Sequence, residues 1–450
     1  MELTTDVVVL GAGSGGLSFA RAASRLGASV VVCEPDRVGG TCVNRGCVPK
    51  KMMHQLAHRR PSRSDAALGW RHDPSLDWST FRAATRRYVG EARASLRDEL
   101  ADVARIVEET GTITAPGRVQ AGECRIACKH IVIATGAAPR RPDFDGVELA
   151  CTSEAMFELE RPPERVAIIG GGYIGVEFAS IFARLGARVQ LLSHSVLSGF
   201  DADLRAFCTD ALEGCGVEVR TEAEPCGIVK ASNGELRVRL RRGAAPSPTD
   251  VVLVAIGRAP RTAELTTQDM NLELDDDGAV VVDETTLQTS AAGVYAIGDC
   301  SARKPLTPVA KAEGLALARA LYGTGSAEVD LKFTPSAVFG LPPIASTGLT
   351  ETEARERFGD STVEVACKRL TPLEHGALLD PKIHEQSLVK WVLHAGVAVG
   401  CHLAGEHAPD VIQPISWLLA GGRFRPGDVG ENLRVHPTET EELAAVLDLE

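Results

Sequence analysis

Cys42 and Cys47, in Gly39-Gly40-Thr41-Cys42-Val-Asn-Arg-Gly-Cys47-Val-Pro-Lys50-Lys51, are the residues whose type and spacing most directly suggest chemistry. On a regular helix they would point about 140° apart with about 7.5 Å of axial rise, too far for an unstrained disulfide. A bridge therefore requires an irregular turn, which Gly46 permits. A disulfide in such a loop is labile and redox-active, and Lys50 or a helix N-terminus could stabilise the thiolate formed on its reduction. Two other readings stay open on these residues alone. The pair could be half of a zinc site, though no second ligand pair lies nearby in the sequence, or two unrelated buried thiols. The 12 cysteines are mostly scattered singly through apolar segments, which argues against a disulfide scaffold.

Glycine turns must position this pair. Asp6-Val-Val-Val-Leu10 reads as a strand, Gly11-Ala-Gly13-Ser14-Gly15-Gly16 as a turn, residues 17–26 as a helix closed by Gly27, and residues 29–33 as a second strand. In this pattern Gly11 allows the tight turn, Gly13 lets the backbone approach a pyrophosphate at the helix N-terminus, and Gly16 lets helix and strand pack closely. Glu34 ends the second strand, placed to accept from ribose hydroxyls. The pattern recurs in Val166-Ala-Ile-Ile-Gly170-Gly-Gly172-Tyr173-Ile174-Gly175, followed by an apolar helix over 176–185, Gly186 and a strand over 188–192. The chain thus holds two dinucleotide-binding units. The offset from Gly11 to Glu34 leads from Gly170 to Ser193, in Leu192-Ser-His194-Ser195. A carboxylate there would repel a 2′-phosphate, so its absence favours NADP over NAD, with His194 the one cation offered between Arg188 and Arg205.

The 450 residues are 44% hydrophobic and 24% charged, with a mean hydropathy of zero. This is the composition of a globular protein of about three or four packed modules. A net charge of -12 gives a nucleic-acid or anionic membrane surface no electrostatic support, so the expected partners are small molecules. Apolar runs such as residues 7–10 and 251–256 stop far short of the about 20 residues that span a bilayer. The acidic start Met-Glu-Leu-Thr-Thr-Asp has neither the cationic nor the apolar region of a secretory signal. The expectation is a cytoplasmic protein with no membrane, nucleic-acid or metal site.

Gly-Gly-Thr-Cys-x4-Cys-x-Pro-Lys directly after such a unit resembles the class I pyridine nucleotide-disulfide oxidoreductases, flavoproteins that include lipoamide dehydrogenase, mercuric reductase and glutathione reductase. Further segments resemble family signatures in the family's order: Ile131-Val-Ile-Ala-Thr135-Gly136, Ala255-Ile-Gly257-Arg258-Ala-Pro260, Tyr295-Ala-Ile-Gly-Asp299, Leu306-Thr307-Pro-Val-Ala310 and His436-Pro-Thr438. Arg45-Gly-Cys-Val-Pro-Lys-Lys51, Val196-Leu-Ser-Gly-Phe-Asp201 and Ala337-Val-Phe-Gly-Leu-Pro-Pro343 are most similar to the glutathione-disulfide reductase branch.

The resemblance implies an α/β fold with two Rossmann-like, three-layer dinucleotide-binding domains and a C-terminal α+β dimerisation domain. Together with turn-rich joints it divides the chain into an FAD-binding part over 1–142, an NAD(P)H-binding domain over 143–270, a segment over 271–332 that completes the FAD domain, and an interface domain over 333–450. Within these parts a helix is expected over 78–107 and an exposed loop over 241–250, while the basic stretch over 59–71 receives no function. By resemblance, FAD would lie on Gly11, Gly13, Ser14, Gly15 and Gly16 and meet Glu34, Gly40, Thr41, Lys50, Thr135, Gly136, Asp299 and Thr307. NADPH, with NADH as the alternative, would meet Gly170, Gly172, Tyr173, Ile174, Gly175, Ser193 and His194, and Gly257 and Arg258 complete the cofactor contacts. Tyr173 resembles a gate over the nicotinamide, and Lys50 and Glu177 a pair near flavin N5. Electrons would pass from NAD(P)H through FAD to a Cys42–Cys47 disulfide, with Cys47 facing the flavin and Cys42 attacking the substrate.

His436 resembles the catalytic base, supplied by the partner subunit of a homodimer and oriented by Glu441. Thr438-Glu-Thr-Glu441 also reads as a capping box in which Glu441 reaches back to Thr438. Arg21 matches a position where glutathione reductases place an Arg on a glutathione carboxylate and trypanothione reductases place an aromatic. Leu315 and Leu96 stand where a second Arg and a Tyr would contact glutathione, and Ser193 and Ser198 where two arginines would grip the 2′-phosphate. The expected substrate is a small-molecule disulfide, glutathione disulfide foremost, with another small disulfide as the nearest alternative. A lipoamide dehydrogenase-like or mercuric reductase-like enzyme comes next. A flavin redox sensor without turnover is the non-enzymatic reading, opposed by the intact set Cys42, Cys47, Lys50, Tyr173, His436 and Glu441.

Overall fold

The first apolar run lies in the strand Glu2–Leu10, where Val7, Val8 and Val9 are all fully buried, so both faces of the sheet are covered. Val7 and Val9 pack with Leu17, Phe19 and Ala20 of the helix Ser14–Arg25, while Val8 and Leu10 pack on the other side with Ile131, Ile133 and Val294. A continuous apolar run rather than an alternating one is what a parallel strand between two layers requires. Val30–Cys33 and Cys124–Ile133 flank this strand in parallel. Arg105–Val107 extends the sheet on one side, Val294–Ala296 pairs with the 124–133 strand, and the antiparallel strands Gly111–Ala115 and Arg118–Ala121 complete seven.

The computed structural model describes residues 1–60, 75–243, 245–263, 265, 272–371, 387–427, 435–436, 438–441 and 443. They form two compact units. The first comprises Met1–Lys50, Ser79–Arg140 and Arg258–Leu331 and contains the seven-stranded sheet. The second comprises Lys51–Trp78, Arg141–Gly257 and Lys332–Glu450.

In the second unit the repeated glycine pattern builds a second parallel sheet, ordered Glu218–Arg220, Arg188–Leu192, Arg165–Ile169, Val251–Val254 and Cys151–Thr152. Its C-terminal part is an antiparallel sheet of Ser336–Val338, Ile344–Gly348, Val397–Ala404, Ser387–His394 and Val363–Leu370, packed against the helix Ala408–Ala420. A buried ion cluster joins these parts within the unit. Lys390 Nζ donates to Asp201 Oδ1 at 2.9 Å, Asp203 Oδ2 at 2.6 Å and Glu351 Oε2 at 2.7 Å.

Three details depart from the sequence reading. The helix Trp78–Ala101 stops short of residue 107, because Arg105, Ile106 and Val107 pair with the edge residues Val31, Val32 and Cys33. The chain returns to the first unit at Arg258, ahead of residue 270, because Arg258–Pro260 pairs antiparallel with Ala137–Pro139. Residues 241–250 join two strands as expected, yet Thr249 is buried, its hydroxyl donating to the Arg165 carbonyl at 2.8 Å. The basic stretch over 59–71 lies outside the described residues beyond Arg60, whose Nη1 donates to the Arg184 carbonyl at 2.8 Å. Among the described residues no helix is long and apolar enough to cross a membrane.

Candidate active site

The helix Gly40–Arg45 ends at Gly46, and a new helix, Cys47–His58, begins on the next residue. A side-chain carbon on Gly46 would stand 2.9 Å from the Thr41 carbonyl oxygen, so the break favours glycine. Here is the irregular turn that a bridge between the two cysteines requires. Cys42 sits in one helix and Cys47 opens the other, and their thiols, unbridged, share a hydrogen bond. The loop before them is fixed by Asn44, which is buried and donates to the Val38 and Gly40 carbonyls at 3.0 Å each. It is pressed onto the first glycine turn, since a side-chain carbon on Gly40 would lie 2.7 Å from the Gly13 Cα.

Three helix starts converge on the sulfurs. Ser14, first residue of Ser14–Arg25, bonds Cys42. Thr307, first residue of Thr307–Tyr322, bonds Cys42 and lies with its Oγ1 3.7 Å from the Cys47 sulfur. Cys47 begins the third helix itself. Each start presents partial positive charge, which favours a thiolate. The Cys42 thiol is held down at about 6, first by the bond from Cys47, with Thr307, Lys311 and Ser14 assisting against burial. The same bond pushes the Cys47 thiol well above its ordinary value, although Lys50 pulls it down. The pair therefore carries one readily formed negative charge, on Cys42.

The surrounding residues fit a flavin dinucleotide. Gly11 has φ +106°, and a side-chain carbon there would come within 2.5 Å of the Ala134 carbonyl oxygen. Over Gly13 the space is open, with only the Gly40 Cα at 4.0 Å, and no side chain caps the helix that follows, leaving its N–H groups for a phosphate. Glu34 accepts from the Ala12 N–H at 2.7 Å and the Asp36 N–H at 3.0 Å, one bond on each oxygen, so each oxygen keeps a lone pair for a ribose hydroxyl. Burial raises its pKa, as it does that of Asp299 in the short helix Gly298–Cys300. Thr135 donates to the Arg261 carbonyl at 2.7 Å, beside Gly136. Arg258 donates to Thr41 Oγ1 at 3.2 Å and to the Ala137 carbonyl, so it stands with the flavin-side residues and not in the nucleotide sheet.

Glu313, fully buried, accepts from the Gly298 N–H at 2.7 Å and pairs with Arg303 at 2.9 Å, fixing the Asp299 loop to the Thr307–Tyr322 helix. The sequence reading missed both residues. The available signal was a carboxylate among the apolar positions of a helix, where an unpaired one is rare.

In the second unit, Gly170 has φ +117° and a side-chain carbon there would lie 2.3 Å from the Ala255 carbonyl oxygen, while over Gly172 the space is open. Tyr173, Ile174 and Gly175 begin the helix Tyr173–Arg184, with Tyr173 47% exposed. Glu177 is buried, and its Oε1 accepts from the Phe339 N–H at 2.9 Å. Ser193 departs from its expected role at the 2′-phosphate. It is buried, and its hydroxyl donates to the Ser195 carbonyl at 2.6 Å, turned inward because the turn at Gly171 packs against it. His194 and Ser198 are exposed on the same loop. Arg205, passed over in the sequence, folds back to this loop and donates through Nε to the Val196 carbonyl at 3.0 Å. Gly257 closes this stretch of the unit.

His436 Nδ1 lies 3.1 and 3.0 Å from the two carboxylate oxygens of Glu441. A carboxylate only accepts, so Nδ1 carries the proton and Nε2 is left as a base. Glu441 thus orients His436, while Thr438 donates to the Val435 carbonyl and the short helix Glu439–Glu441 follows. Arg21 lies with Nη2 2.6 Å from Glu99 Oε2. Leu315 is 38% exposed, whereas Leu96 packs on the core that holds Phe19 and Leu100 and so does not present itself as a substrate contact. Ser14, Gly40, Thr41, the two cysteines, Lys50, Arg258 and Thr307 come together in the first unit; Tyr173, Glu177, His436 and Glu441 belong to the second. Among the described residues no three His, Cys, Asp or Glu side chains gather to hold a metal.

Residues 5–314 match the family described as pyridine nucleotide-disulphide oxidoreductase, and residues 334–446 match the dimerisation domain of that description. A glutathione reductase of Burkholderia cepacia is 38% identical over 98% of this chain and 98% of its own. The chloroplastic/mitochondrial glutathione reductase of Pisum sativum is 35% identical over 98% of this chain and 82% of its own. A trypanothione reductase of Trypanosoma congolense is 35% identical over 99% of this chain and 96% of its own. The chain belongs to the pyridine nucleotide-disulphide oxidoreductase family, as an oxidoreductase that acts on disulfides with FAD and NADPH.

Proposed function

We propose that this enzyme reduces glutathione disulfide in the cytoplasm, as a homodimer in which His436 of one copy serves the cysteines of the other. The observation that carries the reading is the cysteine pair itself: two thiols across a helix break, one held at about 6, at the meeting point of three helix starts. The chemistry supplied by bound FAD is the passage of an electron pair from NADPH to the Cys42–Cys47 disulfide. Gly11, Gly13, Ser14, Gly15, Gly16, Glu34, Gly40, Thr41, Lys50, Thr135, Gly136, Asp299 and Thr307 would hold it. Gly170, Gly172, Tyr173, Ile174, Gly175 and His194 would hold the nucleotide, with Tyr173 guarding its ring.

The Cys42 thiolate attacks one sulfur of the substrate, forming a mixed disulfide and releasing one thiol. Cys47 then attacks the Cys42 sulfur, releases the second thiol and restores the Cys42–Cys47 bridge. The electron pair of the dithiol ends in the two product thiols: His436 Nε2 takes the proton that Cys42 gives up and hands it to the first departing sulfur, then takes the Cys47 proton and hands it to the second. A second reading keeps this chemistry with another small disulfide, because apolar Leu315 stands where a second glutathione-binding Arg was expected.

Anaerobic titration with NADPH tests the proposal. The expected result is a long-wavelength thiolate-to-flavin band that glutathione disulfide discharges at a catalytic rate. A band discharged only by other disulfides would move the substrate, and no band at all would overturn the redox role of the pair.

A further inference from the structure

The two helices that start at the sulfurs also run side by side away from them. A side-chain carbon on Gly314 would stand 2.6 Å from the Gly15 carbonyl oxygen, and Ser18 donates to the Lys311 carbonyl at 2.8 Å. Ser14, Ser18 and Arg21 follow at helical spacing on one, and Thr307, Lys311 and Leu315 on the other, so each set shares a face. Along these faces Arg21 lies about 10 Å of helix rise from Ser14, which bonds Cys42. That span suits a disulfide whose ionic terminus sits several bonds from its sulfur. The cation at this distance is already matched. Glu99, from the helix Trp78–Ala101, places Oε2 2.6 Å from Arg21 Nη2, and Ser95 donates to its Oε1 at 3.2 Å. The pairing is close but poorly aligned: Arg21 Nε and Nη2 are shielded from solvent and have no hydrogen-bond acceptor in line.

We propose that Glu99 is a specificity-determining residue that occupies Arg21 in place of a substrate carboxylate. An acidic disulfide must displace Glu99 to reach the guanidinium, whereas a disulfide without carboxylates leaves the pair intact. The imperfect alignment makes displacement possible, because a carboxylate arriving in the plane of the guanidinium gains the bonds that Glu99 does not form. This inference rests on the proposed reduction of a small disulfide at Cys42.

The test compares the parent with Glu99→Gln on oxidised glutathione and on bis(2-hydroxyethyl) disulfide, which carries no charge. Glu99 is half exposed, so the substitution leaves the fold intact. The expected result is a two- to fivefold lower KM for oxidised glutathione, of the order a partly exposed ion pair supports, with KM for the uncharged disulfide unchanged and kcat unchanged for both. Adding Arg21→Met to Glu99→Gln should erase the gain. An unchanged or higher KM for oxidised glutathione in Glu99→Gln, or an equal change for both disulfides, would overturn the role of Glu99. Failure of the underlying functional reading shows separately, as a parent enzyme that turns over neither disulfide.

Discussion

A thiol that ionises at about 6 matters because at neutral pH it stands as a thiolate, while its partner stays protonated and cannot compete for the same charge. The largest cause is the bond from Cys47, so the charge on Cys42 is a property of the pair. Alkylation of the reduced enzyme by iodoacetamide should rise with pH through about 6 and level off below the range of an ordinary thiol near 9.0. In Cys47→Ala the lost donor should move that midpoint upward by at least about one unit, and an unmoved midpoint would assign the effect to the helix starts alone. Cys42→Ser should leave FAD bound and reducible by NADPH while disulfide turnover disappears. Turnover at the parent rate would remove Cys42 from the reaction. Replacing Ser193 by Glu is no clean probe of nucleotide choice, because the hydroxyl at that position is buried, bonds the Ser195 carbonyl and lies tight against Gly171.

At the scale of elements, the second unit depends on a charge that has no access to water. Lys390 lies in the strand Ser387–His394 with its side chain 1% exposed, and Asp201, which caps the helix Ala202–Gly214, is equally buried. Burial alone would raise the Asp201 pKa, yet the bond from Lys390 holds it below the ordinary range. Lys390→Met should therefore cost about 3–5 kcal/mol in urea unfolding, the penalty of a buried ion pair left with one member. The sign with pH follows from the depressed carboxyl. Its contribution is present above about pH 4 and is lost as the pH falls through the folded-state value, so Lys390→Met should show a flatter acid limb than the parent. Loss of less than about 1 kcal/mol would show that the three carboxylates find other partners.

At the scale of the molecule, the cysteines and His436 lie in different units of the chain, and residues 334–446 match a dimerisation domain. If His436 serves the second copy, Cys42→Ser and Glu441-paired His436→Gln are each inactive alone but complement one another. A mixed dimer holds one site with both substitutions and one with neither. Coexpression should then restore roughly a quarter of parent activity per total protein, assuming random pairing. Activity no higher than that of the separate variants would place base and thiols on the same copy.

Much of this was legible from residue type and spacing. The two glycine turns announce themselves because a tight strand-to-helix joint excludes a side chain at Gly11 and Gly170, and a bridge between the cysteines required an irregular turn that Gly46 permits. Local chemistry of this kind is written in adjacent residues. What the tertiary structure decided are the pairings between segments far apart in sequence: Arg105–Val107 becoming a strand at the edge of Val30–Cys33, Arg258 joining Thr41, Glu313 fixing the Asp299 loop, Ser193 turning inward and Glu99 meeting Arg21. Sequence determined which groups could carry charge and where the backbone could bend. Which charges are already satisfied depends on distances of a few ångströms between distant segments, and only packing sets those.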